Sequence, residues 1–251
     1  MDLGNAIDAE AEERIVWSTT RLYLSVLEAF PKHVQDFQTK WRSWQETISP
    51  QDASAWDDSA PSFKALTALG PKIIPLVIYQ LAFNPTPSTA LHLYSTLDPN
   101  PSDLPRSTPT TTPSSHAEQI LLQAFTRNRA ARDALANWTE HCERVSRHSS
   151  LPMYTECTEY DELLALGPAI VPHVMLQYAK DVKAQSDGVV SASGIGRGVL
   201  FWYELLHELV WGRKTGVRTV VFGEMYEGWK EWFDEGEWEG APRFGRQEEA
   251  Y

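Results

Sequence analysis

The sequence predicts an all-α fold: two stacked HEAT-like helical units forming one compact domain. Three observations carry that expectation. Displaced by 97 residues, the chain matches itself between 41–82 and 138–179, with 13 identities in 42 positions and no gap. Such a period points to repeated supersecondary units. Apolar residues recur at steps of three and four along most of the chain, the spacing of a helix face. Extended character is confined to 218–222, and a single strand has no evident partner.

Residues 6–30 carry Ile15, Leu22, Val26 and Leu27 at near-helical spacing, and Pro31 interrupts the run. Val34, Phe37, Trp41, Trp44 and Ile48 follow at steps of 3, 4, 3 and 4, one apolar stripe on a second helix. Leu66 and Leu69 close a short third helix. Gly70 supplies the left-handed residue that ends it, and Pro71 stops continuation and suits entry to the next helix. Pro75 marks either a kinked first turn of that helix or its true start. A helix bearing Leu91, Tyr94 and Leu97 completes the first unit, 1–97.

Residues 98–115 hold five prolines among serines and threonines, which excludes helix and sheet interior and predicts an extended, exposed linker. The second unit, 116–235, opens with a long helix over 116–147, with Ser115 available as its N-cap. Its stripe of Leu121, Phe125, Asn128, Arg132, Leu135, Trp138, Cys142 and Val145 is interrupted by Asn128 and Arg132. Leu163, Leu166, Gly167, Pro168 and Pro172 then repeat the helix–turn–helix of the first unit. Leu200, Tyr203 and Leu206 match Leu91, Tyr94 and Leu97 at an offset of 109, so the second unit is 12 residues longer. The Gly/Ser-rich stretch 183–198 accounts for that excess. Its Gly194–Gly198 segment lacks the spacing and preceding strand of a phosphate loop and is read as flexible. A last helix over 224–233 presents Tyr226, Trp229, Trp232 and Phe233. The acidic tail 236–251 contains Trp238, which docks either on a partner or on the domain itself.

The net charge of −12 belongs to the ends. Residues 1–13 carry five acids and no base, and 223–251 carry nine acids and three bases, which leaves 14–222 near neutral. Without a basic surplus to displace counterions, nucleic acid is excluded as a partner class. No uninterrupted apolar run approaches membrane-spanning length, and the N-terminus lacks a secretory signal, so no membrane association is expected. Two cysteines, Cys142 and Cys157, make no disulfide framework and fit a reducing, cytoplasmic location.

The combination of Leu-Gly-Pro-x-Ile-x-Pro, 138–144 (Trp-Thr-Glu-His-Cys-Glu-Arg), 154–157 (Tyr-Thr-Glu-Cys) and 203–208 (Tyr-Glu-Leu-Leu-His-Glu) resembles a fungal family of duplicated helical proteins. Short bacterial proteins share a similar Gly-x-x-Ile-x-Pro unit. The resemblance covers most of 40–235. It implies a HEAT-like fold and brings no activity and no catalytic residues with it.

Comparing the copies locates the places where packing alone does not explain a residue. Trp44 corresponds to His141 and Leu76 to His173, and four of the seven histidines and both cysteines lie in the second half. Glu204 and His207, three apart on one helix face with Glu208 adjacent, are candidates for proton transfer with His141 or His173 opposite. A di-iron site would need a second Glu-x-x-His, which the chain lacks. His141, Cys142, His148 and Cys157 lack the paired short spacing of a zinc site, so no metal or cofactor is expected. His173, Trp202, Tyr203 and Trp138 are candidates for lining a ligand pocket, although tryptophans at helical spacing more commonly build a core. Two functions follow. The first is a protein-interaction or scaffold module. The second is a small-molecule enzyme or binding protein, whose pocket is lined by Glu204, His207, Glu208, His141 and aromatics. The partner is accordingly a protein or a small apolar molecule.

Overall fold

A computed structural model describes residues 9–48, 58–84, 87–98, 113–145, 152–187, 198–215 and 222–240. The described chain is all-α, in the order α1 Ala9–Ala29, α2 Pro31–Thr47, α3 Pro61–Thr67, α4 Ile74–Phe83, α5 Pro87–Leu97, α6 Pro113–Arg144, α7 Pro152–Thr155, α8 Thr158–Ala165, α9 Val171–Ser186, α10 Gly198–Trp211 and α11 Phe222–Glu235. Short 3₁₀ turns, Gly70–Ile73 and Pro168–Ile170, lead into α4 and α9.

Prolines punctuate these elements as their missing N–H dictates: Pro31 and Pro61 stand in the first turns of α2 and α3, and Pro75 in that of α4. Pro75 therefore marks a helix start. α2 buries Val34, Phe37, Trp41 and Trp44 on one side, as the spacing requires. α4 buries Ile74–Ile78 and Leu81 and is apolar nearly all round. Such a helix belongs at the centre, and α1, α5 and α6 surround it.

The two Leu-Gly-Pro segments both turn at a glycine of positive φ. Gly70 and Gly167 have φ of 67° and 70°, a conformation that a side chain makes costly. The packing that follows them also recurs. α2 lies on α3 as α6 lies on α8, α4 on α5 as α9 on α10, and α3 on α5 as α8 on α10. The two 3₁₀ turns touch each other at the centre. α1 spans α4, α6 and α9, while α11 crosses from α9 and α10 to α2, so one continuous core includes residues from all the long helices.

Several details depart from the sequence expectations. Leu27 is 37 % exposed, because the buried face of α1 runs through Ile15, Ser18, Tyr23, Val26 and Phe30 instead. α6 begins at Pro113, which places Ser115 inside its first turn and not at its N-cap. Asn128, Leu135 and Trp138 of the expected stripe are buried, but the face widens to take in Ala117, Ile120, Ala124, Ala131 and Ala134, while Arg132 is exposed and Leu121 and Phe125 are half-buried. Small side chains let the helices approach closely, so alanines buried here outweigh larger residues one step round. α9 continues through Ser186, six residues beyond Lys180, the counterpart of the last residue of α4. Helix thus takes up part of the length that was assigned to a loop. Phe222 opens α11; residues 218–221, 188–197 and most of the 98–115 segment lie outside the described residues.

Residues after α11 return to the first half. The Trp238 N–H donates to the Ala68 carbonyl at 2.7 Å, and its ring covers Gly70. Trp238 also packs 5.5 Å from the Trp232 ring. A Cβ added at Gly70 would stand 2.4 Å from Trp238 Cγ, whereas one at Gly167 meets nothing within 4 Å. Gly167→Ala is therefore expected to cost about 1–3 kcal/mol, because φ 70° with ψ −173° is a conformation essentially reserved for glycine. Gly70→Ala should cost clearly more in urea denaturation, and its excess over Gly167→Ala should vanish in a Trp238→Gly background, which removes the Cβ at 2.5 Å together with the ring. Equal costs in the native background would refute the plug.

Candidate functional site

The Glu204, His207 and Glu208 group sits on α10, and each member is occupied in holding neighbouring structure. Glu204, 3 % exposed, accepts from the Thr215 hydroxyl at 2.6 Å and the Thr215 N–H at 3.1 Å. His207 Nδ1 donates to the Arg213 carbonyl at 2.6 Å, and its ring packs on Trp211. Glu208 accepts from the Tyr160 hydroxyl of α8 at 2.5 Å. Burial, with Glu208 next, pushes the Tyr160 phenol well above its ordinary range, so the proton stays on tyrosine. Two of these three groups tie the turn after α10, and the third ties α10 to α8.

His141 is directed elsewhere. Its Nε2 lies 2.9 Å from the Met153 carbonyl, and its Nδ1 faces Arg144 at 3.2 Å and Glu159 at 3.5 Å. The carbonyl can only accept, so Nε2 carries the proton and Nδ1 the lone pair. Cys157 Sγ and the Glu159 carboxylate lie within 4.8 Å of it and of each other. Burial raises both thiols, Cys142 to about 12, which argues against a free nucleophile. His148 lies outside the described residues.

The proposed aromatic lining is core. Trp138 is 1 % exposed, donates to the Tyr154 carbonyl at 2.8 Å and meets Trp202 edge-on at 5.0 Å. The Trp202 indole donates to Asp181 at 2.7 Å, and Tyr203 packs edge-on against Trp229 at 6.1 Å. Burial raises the Asp181 carboxyl, opposed by the bonds from Trp202 and Gln177.

Of these candidates, His173 alone reaches a large cleft. The cleft, about 740 Å³, opens between α1, α6 and α9, with Trp17 and Arg21, Arg132 and Leu135, and His173 and Leu176 on its three walls. Ser18 and His173 line it, and each holds a buried polar atom without a hydrogen-bond partner, Ser18 Oγ and His173 Nδ1. Burial and Arg132 lower His173 to about 4, so the imidazole is neutral at pH 7. Trp17 is 59 % exposed, with the Arg21 guanidinium 5.1 Å from its ring centroid. Lys180 adds a further base and Glu140 and Glu143 two acids, so the lining mixes both charges with the apolar Leu22, Leu135 and Leu176.

Neither Trp17 nor the cleft follows from the helical spacing, since the walls come from three separate helices. The sharper omission is Lys72, where the second copy has Ala169. It is 1 % exposed, and its Nζ donates to the carbonyls of Trp232, Phe233 and Gly236 at 2.7, 3.1 and 2.5 Å. The ammonium lies 4.7 Å from the Trp232 ring centroid. Burial drags its pKa down to about 7, but three acceptors use all three N–H bonds of the protonated form. This cation caps the C-terminal carbonyls of α11. His33 beside it packs 4.3 Å from the Phe233 ring, and neither of its nitrogens has a hydrogen bond of normal geometry. Burial, with Lys72 next, lowers it to about 3.

Comparison of the chain with protein-family models, with curated proteins and with solved structures returns no match.

His33 and His173 make stability pH-dependent with a definite sign. Unfolded, each takes up a proton near pH 6.5, while the folded chain refuses it until about pH 3 and about pH 4 respectively. Stability is therefore full above the unfolded value and falls as pH drops below it, by about 1.4 kcal/mol per pH unit for each histidine. His173→Leu, the residue found in the first copy, should retain the fold and remove one histidine's share. The check is the urea midpoint between pH 7.5 and 4.5; an unchanged slope in the variant would contradict the assignment.

Proposed function

We propose that this chain is a protein-interaction module, a HEAT-like pair of helical units whose α1–α6–α9 cleft receives an amphipathic segment of a partner protein. The observation that carries the proposal is the cleft: about 740 Å³, open to solvent, with Leu22, Leu135 and Leu176 among its lining. The exposed Trp17 at its edge is the kind of anchor that dominates protein interfaces. The charges Arg21, Arg132, Lys180, Glu140 and Glu143 supply a polar rim.

Support for two repeated units comes from the matched sequences, the two left-handed glycines and the recurring pairwise packing. The free Cys142 and Cys157 suit a cytoplasmic setting. Among the described residues no single helix is long and apolar enough to cross a membrane. The bent pair Pro61–Thr67 and Gly70–Phe83 is apolar enough, but its large side chains are mostly core.

A second reading, a small-molecule site in the same cleft, rests on His173 and its unpartnered Nδ1. It moves the polar groups away from Glu204, His207, Glu208 and His141, which hold separate pieces of structure and share no cavity wall with it.

A photo-crosslinking residue at Ala136, exposed on the α6 wall, should trap a discrete protein adduct in cells of the source organism. The same probe at Asp161, exposed on α8, should not, and Trp17→Ala should reduce the Ala136 adduct at least tenfold. Equal labelling from both positions, or an adduct indifferent to Trp17, would overturn the proposal.

A further inference from the structure

We propose that His141, Cys157 and Glu159 form a zinc site that braces the C-terminal end of α6 against the start of α8. One ligand atom from each residue lies within 4.8 Å of the others, and His141 Nδ1 and Glu159 Oε1 are already 3.5 Å apart. A tetrahedral zinc with N, S and O ligands places neighbouring donor atoms about 3.3–3.8 Å apart, so small rotations of Cys157 and Glu159 close the triangle.

Three further features fit a metal better than a chance cluster. First, His141 has the tautomer a ligand needs. Its Nε2–H is taken by the Met153 carbonyl at 2.9 Å, which fixes the ring and leaves the Nδ1 lone pair facing Glu159. A backbone carbonyl behind a ligating imidazole is the usual outer-shell partner. Second, a cation already occupies the place. The Arg144 guanidinium lies 3.2 Å from His141 Nδ1 and 3.1 Å from Glu159. Its side chain is 61 % exposed, so it can swing into solvent. Third, the donor set of imidazole, thiolate and carboxylate suits zinc, and a thiolate disfavours the hard cations magnesium and calcium.

Binding is balanced without a redox partner. Zn²⁺ takes the Nδ1 lone pair, the Glu159 carboxylate and the Cys157 sulfur, whose S–H bond breaks as Zn–S forms, and one proton passes to solvent. Neutral imidazole, thiolate and carboxylate together cancel the zinc charge, and Arg144, no longer needed there, leaves. Water completes the fourth position. The ion links α6 to α8 across residues 146–151, so it fixes the angle at which the long helix meets the second Leu-Gly-Pro turn. None of His141, Arg144, Cys157 or Glu159 lines the α1–α6–α9 cleft, so the two proposals stand or fall separately.

The test uses the full chain, dialysed against chelator and titrated with Co²⁺ and then Zn²⁺. The expected result is one equivalent of Co²⁺ with a thiolate-to-cobalt charge-transfer band, displaced by Zn²⁺, and a higher melting temperature with zinc. Cys157→Ser should abolish the band, and His141→Ala should weaken zinc binding at least tenfold. Cys142→Ser should leave both unchanged. Arg144→Gln should bind zinc more tightly, which a purely structural ion pair would not produce. Each variant's helical circular dichroism establishes that it is folded. No charge-transfer band, a band that survives Cys157→Ser, or one lost in Cys142→Ser would overturn the site.

Discussion

The rest of the structure depends on the burial of one ammonium group. Lys72 enters the core on the first 3₁₀ turn, beside Ile73 and Ile74, where an unpaired charge would be prohibitive. What makes the position tolerable is the C-terminal end of α11, whose carbonyls need donors as much as the lysine needs acceptors. The Trp232 carbonyl also accepts the Gly236 N–H at 2.9 Å, but an ammonium deprived of this helix end would be an uncompensated buried charge. The pair fixes the end of α11 on the first 3₁₀ turn, beside its packing on α2, and α11 in turn positions the Trp238 plug over Gly70. Asp36 and Asp234, paired with Lys40 and Lys230, surround the same junction and favour its positive charge.

The helices were legible where their signal is local. The Val34, Phe37, Trp41, Trp44 stripe and the Gly70 and Gly167 turns follow from spacing and from glycine's freedom at positive φ, and both occur as expected. The face of α6 was legible at Asn128, Leu135 and Trp138 but not at its alanines, because alanine carries little hydrophobic weight yet permits the closest helix contacts. Lys72 gave a faint signal, a mismatch with Ala169 inside an otherwise shared motif. Its meaning depends on acceptors 160 residues further on, which no local pattern encodes.

The site residues teach the same lesson from the other side. Glu204 and His207 share a helix face by spacing, but spacing says nothing of Thr215 or the Arg213 carbonyl, which claim them. His173 was flagged by its mismatch with Leu76 and does line the cleft. The cleft's other walls were invisible, since Trp17 lies off the buried stripe of α1 and Arg132 looked like an interruption of α6. Cys157 and His141 were named as a loose group, and Glu159 joins them only because α8 returns to the end of α6.

The plug on Gly70 also sets an order of events during synthesis. Residues 222–238 leave the ribosome after every element they pack upon, so the first half emerges with Lys72 lacking its carbonyls and Gly70 uncovered. A core that early must keep its amine in water, and α2 cannot settle against Phe233 until α11 arrives. The long-range contacts make closure slow in the way that distant pairing always is. The half of the chain made first is the last to be finished.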